Sequence, residues 1–153
     1  MKKFTVYRYD PDSGEIGRSP ETDTVGKFHA TAKNSPKHAL VVDDEPLVRW
    51  SVAECLSDIG LDVEQAGDAA SALRTVTTST PFDMVVMDLR LPDMKDLSLL
   101  GTVRQLLPSA ILVLMTAFGT PEIISAAEAM GATVLNKPFE LDALKRIAGG
   151  PQA

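Results

Sequence analysis

Cysteine is almost missing from this chain. A single one, Cys55, among 153 residues excludes an internal disulfide and a cysteine-rich metal or cluster site. Long apolar runs are missing too. The longest, such as Ala110 to Thr116, fall far short of the roughly 20 residues that cross a bilayer. The charged N-terminus has no apolar stretch behind it, so no secretory signal is read there, and a cytoplasmic soluble protein is the expectation. Positive charge is in deficit, with 15 Lys and Arg against 21 Asp and Glu for a net charge of −6. That sign argues against direct binding to nucleic acid or to an anionic membrane surface. There is no internal repeat and no low-complexity tract. What remains is globular in proportion, 44% hydrophobic and 24% charged, enough for one buried core.

The charge is unevenly placed. Residues 1–38 carry seven basic and five acidic residues, whereas 39–153 carry eight and sixteen. Phe4 to Tyr9 alternates like a short strand, and Asp10-Pro11-Asp12-Ser13-Gly14 reads as a turn. Glu15 to Pro36 has no sustained period. The expectation is a flexible N-terminal arm over 1–38 with one short hairpin at its start, an α/β domain over 39–149, and a C-terminal tail at 150–153. The opening nine residues from Phe4 resemble the first strand of succinate dehydrogenase iron–sulfur subunits. The cysteine ligands of such a subunit are absent, and no function follows.

From His38 onward, strand and helix signals alternate. Ala39 to Val42 is an apolar strand. Val48, Ser51, Val52, Cys55, Leu56 and Ile59 form one face of a helix begun by Pro46 and closed by Gly60. Asp62 to Ala66 alternates like an edge strand, and Asp68 can cap a helix through about Val76. Phe82 to Met87 is a strand ending at Asp88. A helix is expected over Asp96 to Leu106, with Leu97, Leu100, Val103 and Leu107 inward. Ile111 to Met115 is a strand, Thr120 to Met130 a helix stopped by Gly131, Thr133 to Leu135 a strand, and Glu140 to Ile147 a last helix. Five strands alternating with five helices predict a doubly wound α/β fold. The near-continuous apolar strands predict a parallel sheet covered on both faces. The common five-stranded order is flavodoxin-like, 2-1-3-4-5, with its ligand crevice at the C-terminal ends of strands 1 and 3.

At those ends stand Asp43-Asp44-Glu45, Asp88, Thr116 and Asn136-Lys137-Pro138. Two like charges about 4 Å apart repel by about 4 kcal/mol at an effective dielectric near 20. Either a proton is retained or a cation is bound. Oxygen ligands without Cys or His favour a hard ion, and few carboxylates favour Mg²⁺ over a full Ca²⁺ cage. A carboxylate nucleophile beside Mg²⁺, the Lys137 ammonium and the Thr116 hydroxyl suits phosphoryl transfer. Plainer readings exist for each residue. Asp43 and Asp44 can serve as helix-capping acids, Asp88 as a turn residue, Thr116 as a β-branched strand end and Lys137 as a solvated lysine.

Four blocks in order, Val-Asp43-Asp44-Glu-Pro, Met-Asp88-Leu-Arg-Leu-Pro92-Asp, Met-Thr116-Ala117-Phe-Gly and Asn-Lys137-Pro138-Phe, resemble the signature blocks of bacterial two-component response-regulator receiver domains. The resemblance covers about 40–153 and is strongest to receivers that precede enhancer-binding transcription activators. It implies that Asp88 accepts a phosphoryl group from a sensor histidine kinase or a histidine phosphotransfer protein. Asp44 and Asp88 would bind Mg²⁺ directly, together with the backbone carbonyl of Arg90, and Asp43 through water. Thr116, the Ala117 N–H and Lys137 would hold the phosphoryl oxygens, and Pro138 matches a cis-proline. The chain would catalyse only its own phosphorylation and dephosphorylation, then signal to a downstream protein target. The output face would take in the fourth helix, fifth strand and fifth helix, around Ile123, Ile124, Val134 and Leu141, where a homodimer would also form. Since the sequence given ends at Ala153, a stand-alone regulator is expected.

Two positions depart from the family pattern. Val134 stands where an aromatic residue usually swings inward on activation, and Met94-Lys95-Asp96 replaces Met-Asp-Gly. The first motivates an alternative, a non-switching binding module with the same fold. A phosphatase with a nucleophilic aspartate would need an acid at position 90, where Arg90 stands. A flavin protein would need phosphate-cradling donors where Asp43-Asp44-Glu45 stand. Trp50 lies off the apolar face of its helix, Cys55 is expected to be inert packing, and His29, His38 and the Arg90 side chain are expected to be solvated.

Overall fold

The computed structural model describes two short strands, Tyr7–Asp10 and Glu15–Arg18, and residues 37–149. The chain divides into two compact units, Met1–Ser35 and Pro36–Ala153. In the first, β1 (Tyr7–Asp10) pairs antiparallel with β2 (Glu15–Arg18), Tyr7 opposite Arg18 and Asp10 opposite Glu15. The rest of the expected arm through Pro36, and the tail at 150–153, lie outside the described residues.

The second unit runs β3 (His38–Val42), α1 (Pro46–Asp58), β4 (Asp62–Ala66), α2 (Ala69–Thr78), β5 (Met84–Asp88), α3 (Ser98–Leu106), β6 (Ile111–Thr116), α4 (Pro121–Ala129), β7 (Ala132–Asn136) and α5 (Leu141–Gly149). Its strands form one parallel sheet in the order β4-β3-β5-β6-β7. Counted from β3 this is the expected 2-1-3-4-5. Successive strand side chains point to opposite faces, so each strand feeds two cores. Leu40, Val42, Val85, Met87, Leu112 and Leu114 meet residues of α2, α3 and α4. Ala39, Val41, Met84, Val86, Val113 and Met115 meet residues of α1 and α5. Burying a leucine such as Leu40 or Leu114 contributes about 1.5–3 kcal/mol against leaving it in water.

Helix ends follow local chemistry. Gly60 (φ +100°) and Gly131 (φ +85°) close α1 and α4 in the left-handed region that glycine tolerates. The Asp68 carboxylate accepts the Ser71 N–H at 2.7 Å at the start of α2, and the Thr120 hydroxyl accepts the Ile123 N–H at 3.2 Å at the start of α4. α4 buries only Ala127 fully. Its last turn is fastened from α3, where the Arg104 guanidinium donates to the carbonyls of Met130, Leu107, Pro108 and Ala110 at 2.8 to 3.1 Å.

Some local expectations need correction. α3 begins at Ser98 rather than Asp96, because the Asp96 carboxylate turns back to accept the Ser98 N–H at 2.9 Å. That turn keeps Asp96 out of the helix. His38 is not solvated. Its ring stacks on Phe82 at 4.1 Å and its Nε2 lies 2.8 Å from Glu64 Oε2. Trp50 is exposed, and Cys55 is buried, with burial pushing its thiol pKa up.

The Asp68 cap carries a pH signature. Hydrogen bonds from Ser71 hold its carboxyl below the ordinary 3.8. A depressed acid stabilises the fold above its unfolded pKa and loses that contribution as pH falls through the folded value. Thermal melts from about pH 5 down to about pH 2 should therefore show Asp68→Ala starting lower than wild type and converging with it at the acid end.

Candidate functional site

The parallel sheet brings its strand C-termini to one rim. Asp43 follows β3, and its own N–H continues the ladder to Ala66 O at 3.1 Å. Its side chain is fully buried (0% exposed). Oδ1 accepts the Glu45 N–H at 2.9 Å, and Oδ2 accepts from Lys137 Nζ at 3.1 Å. The Arg49 guanidinium holds the Asp43 carbonyl at 2.8 Å and reaches Gln65 Oε1 at 3.2 Å, fixing the loop below the site. Asp44, next in the chain, is exposed. Asp88 ends β5, where its Oδ2 accepts from Lys137 Nζ at 3.2 Å and its Oδ1 from the Arg90 N–H at 3.3 Å. One carboxylate oxygen from each of Asp43, Asp44 and Asp88 lies within 4.8 Å of the others.

Lys137 is carried in by β7. Its backbone N–H bonds to the Thr116 carbonyl at 2.7 Å, and the Lys137–Pro138 peptide is cis. Its ammonium bridges Asp43 and Asp88 and stands 4.0 Å from Glu45 Oε1. Burial disfavours that charge, but hydrogen bonds and charge from Asp43 and Asp88 outweigh burial and raise the Lys137 pKa. Asp88 is raised as well, first by burial and then by the Asp43 charge, against the pull of Lys137. A carboxylate cluster that one ammonium only partly offsets invites a second cation.

Thr116 ends β6 and is 1% exposed. Its hydroxyl accepts the Phe118 N–H at 3.1 Å, leaving its own O–H to donate elsewhere. The following loop is tight. A Cβ added at Gly119 would meet Thr116 Cγ2 at 3.0 Å and Ile124 Cγ1 at 3.2 Å.

A cavity of about 350 Å³ opens here, lined by Asp44, Glu45, Asp88, Lys137, Arg90, Leu91, Pro92, Lys95, Ala117 and Phe118. Asp43 and Thr116 are buried beside it rather than lining it. The residues singled out in the sequence thus converge on one place. The Arg90 side chain is exposed, as expected. Its guanidinium lies 5.4 Å from the centroid of the Phe118 ring, itself 69% exposed, and both residues line the cavity. Three residues at or near the site had not been singled out for a role there: Lys95, Phe118 and Asp93. Glu45 had a signal, its place beside two acids. Asp93 had none, because its carboxylate acts on a helix remote in sequence.

The donor set fits a hard divalent ion. All its ligands are oxygen, and the oxygens of a Mg²⁺ shell, at about 2.1 Å from the metal, lie no more than about 4.2 Å apart. The three carboxylates are already gathered within 4.8 Å, on the scale of one such shell.

Residues 39–148 match the family described as the response regulator receiver domain. The chain is 36% identical over 112 residues to the probable transcriptional regulatory protein TcrX of Mycobacterium tuberculosis, covering 72% of this chain and 47% of that protein. It spans less than half the length of the first curated transcription regulators it matches. Among solved structures, a CheY-like receiver domain protein of Methanospirillum hungatei superposes with a TM-score of 0.68 at 29% identity, over 74% of this chain and 91% of that one. A response regulator of Burkholderia pseudomallei, solved with a phosphorylated aspartic acid, a calcium ion and citrate, gives 0.68 at 26% identity over 74% and 67%.

Proposed function

We propose that this chain, which belongs to the response-regulator receiver family of two-component phosphoacceptor signalling, takes its phosphoryl group on Asp88. The single observation that carries the assignment is the Lys137 ammonium held between Asp43 and Asp88 beside an open cavity. A carboxylate oxygen of Asp88 forms the O–P bond as the P–N bond of a phosphohistidine donor breaks, and the departing imidazole keeps the electron pair. Lys137 stands where negative charge arrives on the phosphoryl oxygens, and its positive charge offsets that charge in a partly desolvated site. The Thr116 hydroxyl and the Ala117 N–H are the remaining donors for those oxygens. Asp44, Asp88 and the Arg90 carbonyl would hold Mg²⁺, with Asp43 acting through water. When bound, Mg²⁺ supplies charge neutralisation and orientation to the phosphoryl group. The phosphorylated aspartate and calcium ion of the Burkholderia relative support both parts of this reading.

The donor partner is a sensor histidine kinase or a histidine phosphotransfer protein, and the output is changed binding to a protein target through α4, β7 and α5, the face on which a homodimer would also form. Residues 39–149 act as a phosphoacceptor rather than as an enzyme with turnover. No helix among the described residues is long and apolar enough to cross a membrane. In phosphotransfer from labelled phosphohistidine donors, label should move to this chain with Mg²⁺ and stay on the donor after chelation with EDTA. Equal labelling with and without EDTA would remove the metal from the mechanism.

Val134 favours a second reading, a non-switching binding module. It is half-buried in β7 and carries no ring to swing. Equal affinity of phosphorylated and unphosphorylated chain for every partner would select this reading.

A further inference from the structure

The loop from Leu89 to Leu97 contributes Arg90, Leu91, Pro92 and Lys95 to the lining of the cavity. It is closed on itself by reciprocal bonds, Leu91 N–H to Met94 O at 2.9 Å and Met94 N–H to Leu91 O at 3.2 Å, with Pro92 and Asp93 at its tip. The site itself holds this loop weakly, through the Arg90 N–H at 3.3 Å from Asp88 Oδ1. At its start the loop is tied to β6 by the Leu89 N–H to the Met115 carbonyl at 3.0 Å, and at its tip it is tied to α2. Asp93 Oδ1 accepts the Ala69 N–H at 2.8 Å, and Oδ2 accepts the Ala70 N–H at 3.0 Å. These are the first two amides of α2, reached across 24 and 23 positions of chain. The helix has its own cap in Asp68, which takes the third amide. A second carboxylate is therefore not needed to start the helix. It fastens the loop to the helix by two charge-assisted bonds in the favourable field of a helix N-terminus. Leu91, 2% exposed, anchors the same loop by packing. Packing limits displacement, whereas paired directional bonds set the tilt of the peptide planes.

We propose that Asp93 is a positioning residue of the phosphoryl site. Resting on the function proposed above, its clamp on α2 sets the orientation of the Arg90 backbone, and with it the carbonyl offered to the divalent ion. Two carboxylates at one helix start thus divide the work, Asp68 serving the helix and Asp93 serving the site. The coupling is reciprocal by thermodynamic linkage. Whatever the clamp adds to metal affinity, the metal returns as tighter bonds at Ala69 and Ala70.

Calorimetric titration with MgCl₂ tests this without any phosphorylation. Asp93→Ala should lose about tenfold in Mg²⁺ affinity, the lower end of what supporting-shell changes cost. Asp68→Ala should lower the melting midpoint yet keep wild-type affinity. Asp93→Asn, which retains one acceptor, should fall between and serves if Asp93→Ala does not fold. In the wild type, saturating Mg²⁺ should slow amide hydrogen exchange at Ala69 and Ala70, and Asp93→Asn should shrink that effect. Wild-type affinity in the Asp93 variants, or a loss in Asp68→Ala that matches theirs, would overturn the clamp while leaving the site intact. A wild-type chain that binds no Mg²⁺ would overturn the metal reading and the clamp with it.

Discussion

Treated with acetyl phosphate and Mg²⁺, the intact chain gains the mass of one phosphoryl group, and Asp88→Ala gains none. The expectation is complete loss, because on the proposed assignment the removed oxygen would be the atom that bonds phosphorus. Intact-mass spectrometry reads it directly, and a phosphoryl gain that persists in Asp88→Ala would place the acceptor elsewhere. The same position should behave in the opposite sense toward stability. Burial and the neighbouring Asp43 charge raise the Asp88 pKa in the fold, so protonation favours the folded state. In metal-free protein, stability should therefore decline as pH rises from the ordinary carboxylate value of 3.8 through the raised one. Asp88→Asn removes the charge and keeps the shape. Its metal-free melting midpoint at neutral pH should lie above wild type, and the gap should close at acid pH. A variant less stable than wild type at neutral pH would contradict the picture of a site strained by its own charge.

The second large effect is expected at Lys137. Its ammonium is the counter-charge to Asp43, which is fully buried, and the lysine side chain is itself only 18% exposed. Removing one partner of a buried pair strands the other, at about 3–5 kcal/mol in full burial. With Lys137 at the rim, about 2–3 kcal/mol is expected for Lys137→Ala in metal-free protein. Mg²⁺ should restore part of it, because a ligand that binds only the folded state stabilises by mass action. Phosphorylation by acetyl phosphate should slow by about 10²–10³, the usual cost of losing one preorganised donor to developing charge. Urea unfolding with and without Mg²⁺ and a phosphorylation time course check the two halves separately. Unchanged stability would mean that Asp43 is held by other groups.

Much of this was legible in the sequence. Apolar runs at 39–42, 82–87 and 111–115 are short enough for strands covered on both faces, though the second begins only at Met84, and parallel pairing follows from their alternation with helices. The strand-end acids, Thr116 and Lys137 could be grouped because a parallel sheet puts all its C-terminal ends on one edge. What could not be read were contacts set by tertiary geometry. His38 looks like a solvated residue ahead of a strand until Phe82 and Glu64 are placed beside it. Arg90 and Phe118 belong to different loops, and nothing in their spacing says they meet. α3 starts two residues after the expected Asp96 because Asp96 prefers a local side-chain turn to the helix. Asp93 carries the same lesson over a longer span, since its partners lie more than twenty residues earlier.

The way α4 is attached has a mechanical consequence. Arg104 secures the end at Met130, and the one fully buried side chain, Ala127, lies close to that end. Ile123 and Ile124, in the opening turn, are only half-buried. Such a rod is pinned more firmly at one end than at the other. A displacement of the tight segment after Thr116 would swing its Pro121 end, about 13 Å from the pivot for nine residues, more than its far end. A macromolecule sensing such a swing would gain most by gripping Pro121 and Glu122, where the lever arm is longest.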